Sequence, residues 1–278
     1  MVIDVHTHLG ALGRRQAAVS DLLQHARRCG IDRVLVSNLD AGSAPPPAGD
    51  LCETEANLAC LRECARQPLL APLYWVRPGR VDSHVLAFGG ALASEAFAGA
   101  LFAPAANEFD ADDELLDPYI AMLARLRLPA VFIATRDERA APVRVYNLAR
   151  RHPHVAFVIC DASADTQMRE ALDVATRAVE RNDARLYLDT SHASWEELTA
   201  MLRAVGAERV LFGSDAPSSS SKDADALALL TRMRDRLDPA DLTRICRTNA
   251  EALFRLAPTE SNIASARAAA APRPSAAH

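Results

Sequence analysis

Residues 185–213 read RLYLDTSHASWEELTAMLRAVGAERVLFG, and this stretch predicts one strand–helix–strand unit. The apolar runs at 185–189 and 209–213 have the length of buried strands. Between them, one helix face is marked by apolar residues at helical spacing: Leu198, Met201, Leu202 and Val205. Ser194 and Glu197 match a capping box at the start of this helix, and Gly206 supplies its C-terminal stop.

The same alternation of strand and helix runs along most of the chain. The predicted strands are 2–9, 33–38, 69–76, 99–103, 130–135, 155–161, 185–189 and 209–213. Eight strands, each followed by a helical pattern, in a chain of 278 residues predict an α/β fold. The expected architecture is a (β/α)8 TIM-like barrel forming a single domain over residues 1–257. A doubly wound open sheet is the alternative, but no glycine-rich phosphate loop follows the first strand.

Two segments depart from this alternation. Residues 42–50 contain three consecutive prolines and predict a loop after the second strand. Because active sites of such barrels form at the C-terminal ends of the strands, this loop is expected to border the site. Residues 258–278 are rich in Ala, Ser, Pro and Arg, so they predict a disordered tail with too few apolar groups to offset its ordering entropy.

Composition excludes several protein classes. Apolar residues make up 50% and charged residues 24%, which excludes a fully disordered or collagen-like chain. A net charge of −5 gives no indication of nucleic-acid or anionic-membrane partners. The N-terminus lacks a signal-peptide pattern, and the six cysteines lack CxxC spacing and are expected to be reduced. We therefore expect a soluble cytoplasmic protein with a small-molecule substrate; a homo-oligomer remains open.

The strongest chemical signal lies in the first strand, at Asp4-Val5-His6-Thr7-His8. Side chains two apart on a strand share a face, so both imidazoles are expected to project together and could hold one divalent cation. The eighth strand runs into Asp215 and closes against the first in a barrel, which would place this carboxylate beside them. Two histidines and a carboxylate make an open metal site with room for water. The alternatives are core histidines and a helix-capping role for Asp215.

The chain resembles the amidohydrolase superfamily, and within it the amidohydrolase-2 branch of metal-dependent hydrolases and decarboxylases. The resemblance rests mainly on IDVHTHLG at 3–10, LFGSDAP at 211–217 and TNAEALFRL at 248–256. Weaker middle segments, such as HPHVAFVICDAS at 152–163, extend it over about residues 2–256. It implies a (β/α)8 barrel with a metal centre at the C-terminal face.

Departures from the family pattern change the ligand set that the resemblance implies. The family commonly has a histidine at the end of the fifth strand, where this chain has Ile133-Ala134. A second histidine, at the end of the sixth strand, is replaced by Asp161. The bridging lysine of binuclear members falls on Leu101, so no binuclear centre is expected. The ligands that remain are His6, His8, Asp161 and Asp215. Zinc is the first expectation for this single divalent ion, and the carboxylates also suit manganese or iron.

Asp161 and two further polar residues near the strand ends carry alternatives. Asp161 is either a ligand or the cap of the following helix. His192, after the seventh strand, is a proton donor, a substrate contact or a solvated loop residue. Arg136, after the fifth strand, either clamps a substrate carboxylate or forms a surface salt bridge.

The resemblance implies an enzyme that hydrolyses or decarboxylates a small carbonyl or carboxylate substrate. In hydrolysis the metal would lower the pKa of bound water, while Asp215 would accept its proton and return it to the leaving group. In decarboxylation Asp215 would protonate a ring carbon. The alternative is a degenerate barrel without metal that acts as a binding or scaffold protein or as a metal-independent enzyme, and the missing fifth-strand histidine favours it.

Overall fold

The structure, a computed structural model, describes residues 1–12, 15–42, 51–79, 82–94, 97–162, 165–217 and 220–256. The strands are β1 Ile3–Leu12, β2 Arg15–Ala17, β3 Arg33–Asn38, β4 Leu70–Val76, β5 Gly99–Phe102, β6 Ala130–Ile133, β7 Ala156–Cys160, β8 Arg185–Asp189 and β9 Val210–Leu211. The α-helices are α1 Val19–Cys29, α2 Leu51–Arg66, α3 Asp82–Ala93, α4 Asp117–Leu126, α5 Pro142–Arg151, α6 Asp165–Arg181, α7 Trp195–Val205, α8 Ser220–Arg236, α9 Pro239–Thr243 and α10 Asn249–Leu253. The predicted tail at 258–278 and most of the loop at 42–50 lie outside the described residues.

The strands form one closed sheet. Their order is β2-β1-β3-β4-β5-β6-β7-β8-β9, and every pair except the β1–β2 hairpin is parallel. The two ends meet through backbone hydrogen bonds, since the amide of Val5 donates to Phe212 at 3.0 Å and that of His8 to Ala216 at 2.8 Å. The predicted (β/α)8 barrel is confirmed, and each predicted strand overlaps an observed one.

Alternation along the strands divides the apolar core into two layers. One set of strand residues packs inside the barrel, including Ile3, Val5, Leu35, Leu73, Leu101, Val131, Val158 and Leu211. The other set packs outward against the helices, including Val34, Val36, Phe102, Phe132, Phe157, Leu188 and Val210. The helices contribute apolar faces to this outer layer, and α7 has the predicted capping box of Ser194 and Glu197. The barrel interior is therefore filled, and the free space lies at its mouth.

A β-bulge in β1 decides where the two histidines point. The pairing of β1 with β3 shifts register between Asp4 and Thr7. Before the bulge, the odd-numbered Ile3 and Val5 face the interior, whereas after it the even-numbered His6 and His8 do so. A bulge adds one residue to a strand and reverses the alternation, so both imidazoles are aimed into the mouth.

The hairpin of β1 and β2 was not predicted from the sequence. β1 continues past its barrel section to Leu12 and pairs antiparallel with β2, with Leu12 opposite Arg15. At Gly10, φ is +83°, and a Cβ there would collide with the side chains of Asn38 and Asp40. Only glycine allows this close approach, and the result is a short ribbon that carries Arg15 over the mouth. No helix among the described residues is long and apolar enough to cross a membrane.

Candidate metal centre

The residues at the mouth come from the ends of four strands. His6 and His8 lie in β1, whereas Asp161, His192 and Asp215 lie just after β7, β8 and β9. The last three have left-handed backbone conformations, with φ of 61°, 59° and 58°. Asp and His are among the non-glycine residues that adopt this conformation most readily. These turns bring three polar side chains to one end of the barrel.

His6, His8 and Asp215 converge there. The Nε2 atoms of the two imidazoles are 3.1 Å apart. Oδ1 of Asp215 lies 3.2 Å from Nε2 of His8 and 3.8 Å from Nε2 of His6. All three side chains are at least 95% buried, since their exposed fractions are 1%, 1% and 5%. The structure thus brings together the three residues that strand pattern and barrel closure had placed side by side.

The outer nitrogens of both imidazoles are held by hydrogen bonds. Nδ1 of His6 lies 3.1 Å from Oδ2 of Asp189 and 2.8 Å from Oγ of Ser191, whose hydroxyl also donates to Asp189. A carboxylate can only accept, so Nδ1 of His6 carries a proton, and in the neutral ring Nε2 keeps its lone pair for a cation. Nδ1 of His8 is 2.8 Å from Oγ of Ser37, which can accept in the same way.

Protonation at the centre is set by burial and by the surrounding carboxylates. Burial lowers the pKa of His8 to about 4, so this ring is neutral at pH 7. Burial also lowers the pKa of His6, but the hydrogen bond and charge of Asp189 outweigh it and raise the pKa above 6.5. For Asp215, burial raises the pKa, yet hydrogen bonds with His192 and His8 hold it well below its usual 3.8. Asp215 is therefore an ionised carboxylate at neutral pH.

This donor set fits a divalent cation. The three ligand atoms lie within 4.8 Å of one another, as a common centre requires. Two imidazoles and one carboxylate are the three-ligand set of catalytic metal sites, in which a further position stays open for water or substrate. The side chains of Asp189, Ser191 and Ser37 would orient the histidines, because metal-binding imidazoles commonly donate their second N–H to such partners.

Asp161 and His192 form a neighbouring group on the other side of Asp215. Nε2 of His192 lies 3.1 Å from Oδ1 of Asp161 and 3.0 Å from Oδ2 of Asp215. These two hydrogen bonds raise the pKa of His192 to about 9. Asp161 therefore groups with His192 and Asp215 among the described residues, and not with His6 and His8. Arg136 is exposed and lies outside the cavity lining, so the structure does not bring it to this cluster.

A cavity of about 340 Å³ opens above the centre. Its described lining combines the polar residues His6, His8, Arg15, Thr135, Asp161 and Asp215 with the apolar residues Leu12, Leu39, Trp75, Ala103, Ala105, Ala106 and Ile133. The volume is at the lower end for ligand pockets, so the cavity suits a small molecule. Arg15 is the one arginine or lysine in this described lining.

Arg15 had no functional signal in the sequence, because its position depends on the unpredicted hairpin. Its Nη2 donates to Oδ1 of Asp215 at 2.8 Å and to the Asp215 carbonyl at 2.7 Å. Its Nε is buried and has no hydrogen-bond partner among the described residues. Asp189 was also missed; its place at the end of the LYLD strand, just before Thr190 and Ser191, was the available signal.

Gly213 makes room for the carboxylate that supports His6. A Cβ at this position would stand 3.1 Å from Cγ of Asp189 and 3.1 Å from Cβ of His6, and closer still to Oδ2 of Asp189. Such distances are shorter than ordinary van der Waals contact. The absence of a side chain at 213 thus allows Asp189 to reach His6.

Comparison with known proteins gives both a family and a fold. The family model described as amidohydrolase matches residues 3–256. A 2,6-dihydroxybenzoate decarboxylase from Rhizobium is 16% identical, with a TM-score of 0.71 over 90% of this chain and 97% of that chain. A 5-carboxyvanillate decarboxylase from Novosphingobium aromaticivorans, solved with manganese and a nitrobenzoic acid, is 13% identical, with a TM-score of 0.67 over 90% and 95%. A 4-oxalomesaconate hydratase from Rhodopseudomonas palustris is 14% identical, with a TM-score of 0.68 over 97% and 98%. No curated protein matches the chain.

Proposed function

The chain belongs to the amidohydrolase family, and we propose that it is a metal-dependent enzyme whose single catalytic cation is held by His6, His8 and Asp215. Its substrate is a small carboxylate or carbonyl compound bound in the cavity above these residues. One observation carries the proposal: two buried imidazole nitrogens and an ionised carboxylate converge at the open end of the barrel. A bound divalent ion would supply Lewis-acid chemistry there, polarising an oxygen of the substrate.

Within this function, we favour decarboxylation of a small planar acid. The cavity wall is largely apolar, with Trp75 and Ile133 among its residues. Decarboxylation breaks the C–C bond, releases CO₂ and leaves the electron pair on the former carboxyl-bearing carbon, which then takes up a proton. Low-polarity surroundings disfavour the starting carboxylate relative to these neutral products. Hydrolysis would require Asp215 to accept a proton from water, but its Oδ1 already accepts a hydrogen bond from Arg15 and its Oδ2 lies 3.0 Å from Nε2 of His192. The similarity to two decarboxylases supports the same choice.

The side chains around the centre have separable tasks. The buried, unpartnered Nε of Arg15 can donate to an anionic oxygen of the substrate. His192, with a pKa of about 9, is protonated at neutral pH and lies 3.0 Å from Asp215, where it can supply a proton toward the cavity. The apolar wall excludes water from the substrate.

Metal content and turnover of purified protein test the proposal together. The protein is stripped with a chelator, reloaded separately with Zn²⁺, Mn²⁺ or Fe²⁺, and assayed for CO₂ release from a panel of benzoic and hydroxybenzoic acids. We expect activity to require metal and His8→Ala to abolish both binding and turnover. The exposed His154 provides the matched control, since His154→Ala should retain both.

Three results would contradict this proposal, each in a different part. A wild-type protein that binds no divalent ion at millimolar concentration would favour the degenerate barrel. If turnover persisted in His8→Ala, the reaction would not depend on this metal centre. If ester or amide analogues were hydrolysed and no CO₂ were released, the metal site would stand, but the reaction would be hydrolysis and not decarboxylation.

A further inference from the structure

Asp161, His192 and Asp215 form a second convergent set of ligand atoms, which shares only Asp215 with the first. Their ligand atoms all lie within 4.8 Å of one another. Nε2 of His192 is 3.1 Å from the Asp161 carboxylate and 3.0 Å from the Asp215 carboxylate. A single N–H on this atom is thus shared between two anionic acceptors. One hydrogen cannot point directly at both oxygens, so the pairing is geometrically incomplete.

The spacing of these atoms resembles that of a coordination sphere. Metal–ligand bonds of about 2.0–2.1 Å in tetrahedral geometry separate neighbouring ligand atoms by about 3.3 Å. The two observed separations are shorter by only a few tenths of an ångström. A cation in place of the shared hydrogen would bond all three side chains at once, after a small outward relaxation of the carboxylates.

Asp215 offers a different oxygen to each set. Its Oδ1 faces His6 and His8, whereas its Oδ2 faces His192. A carboxylate with its two oxygens directed at two groups of ligands can bridge two cations. The second group is also open to ions from solution, since Asp161 is 25% and His192 11% exposed, and Asp161 lines the cavity.

A third convergent set, of His6, Cys160 and Asp189, does not share these properties. Nδ1 of His6 is already engaged by Asp189 and Ser191. Burial raises the pKa of the Cys160 thiol well above 9, so it is not the thiolate that binds metals. Cys160 and Asp189 do not line the described part of the cavity. This set is better explained as support for His6.

We propose that Asp161, His192 and Asp215 hold a second divalent cation, with Asp215 bridging the two metals through its two carboxylate oxygens. A second ion departs from the sequence-based expectation of a single cation, and it uses a histidine from the turn after β8. The inference rests on the proposed function for Asp215. With the second ion bound, His192 is a neutral ligand and no longer the proton donor assigned to it above. When a cation binds at this site, the Nε2 proton of His192 is released to solvent, because a metal-binding imidazole nitrogen must be deprotonated.

Metal stoichiometry of the full-length protein tests this site apart from the first. Chelator-stripped wild type, Asp161→Asn, His192→Gln and His8→Ala are titrated with Mn²⁺, desalted and measured by elemental analysis and electron paramagnetic resonance. We expect about two equivalents in wild type, with a spectrum broadened by coupling between neighbouring ions. Asp161→Asn and His192→Gln should each retain about one equivalent and show an uncoupled spectrum. His8→Ala should lose the first ion and with it the coupled spectrum.

The matched control is His152→Gln. His152 also pairs with a carboxylate, Asp117 at 2.7 Å, but outside the cavity lining, so this variant should bind as wild type does. One equivalent in wild type that is unchanged in Asp161→Asn and His192→Gln overturns the second site and leaves the proposed function intact. Two equivalents that persist in both variants place the second ion elsewhere and also overturn it. No bound metal in any variant overturns both conclusions.

Discussion

Replacing Gly213 with alanine should weaken metal binding without altering any ligand. The added Cβ would stand 3.1 Å from Cγ of Asp189 and 3.1 Å from Cβ of His6, and nearer still to Oδ2 of Asp189. Carbon–carbon contacts are normally about 3.5–4.0 Å, so the carboxylate must retreat by several tenths of an ångström. That movement lengthens or bends the 3.1 Å hydrogen bond from Nδ1 of His6 to Asp189.

Two effects of this substitution can be estimated. Loss of the group that orients a metal-binding histidine typically costs about 10–100-fold in metal affinity. Overpacking a buried position costs about 1–3 kcal/mol of folding free energy. In a domain of this size each kcal/mol lowers the melting temperature by roughly 2–4 °C. We therefore expect Gly213→Ala to bind metal tens of times more weakly and to melt several degrees lower.

Calorimetric titration with Mn²⁺ and a thermal melt of the metal-free protein measure the two effects separately. The control is Gly90→Ala in α3, where a Cβ would meet nothing within 4 Å. This control should keep the metal affinity and melt at the same temperature or slightly higher, because alanine favours a helix over glycine. Wild-type metal affinity in Gly213→Ala would refute the claim that Asp189 orients His6 for metal binding.

Three further predictions address the surroundings of the centre. Arg15→Gln removes a cation that competes for Oδ1 of Asp215, so metal should bind more tightly; an unchanged or raised dissociation constant in calorimetry would contradict this. Burial raises the pKa of Asp4 to about 7 from 3.8, so its contribution to stability is present below pH 3.8 and is lost as pH rises toward 7. Melts of metal-free protein should therefore show the difference between Asp4→Asn and wild type growing in favour of the variant between pH 4 and 7. Ser194→Ala removes the cap of α7 and should cost about 1 kcal/mol in denaturant unfolding, with metal binding unchanged.

Local patterns in the sequence determined the barrel and the centre of the candidate site. The alternation of strand and helix is a short-range property, because each element must bury one face regardless of its partners. The capping box at Ser194 and Glu197 depends on only four residues. His6 and His8 share a face because they are two apart on a strand, and Asp215 reaches them because the last strand of a barrel closes on the first.

The tertiary structure alone decided how these residues are oriented and which others join them. The bulge between Asp4 and Thr7, which turns the histidines inward, depends on the register of β1 against β3. Arg15 reaches Asp215 across 200 residues of sequence, from a hairpin that is bound to Asp40 through the amide of Ala11. Asp161 pairs with His192 because the left-handed turns after β7 and β8 direct both side chains toward Asp215. Sequence periodicity specifies which face of a helix or strand is buried. Which residues meet across two buried faces depends on strand register, barrel closure and turn geometry, and these form only when the whole barrel assembles.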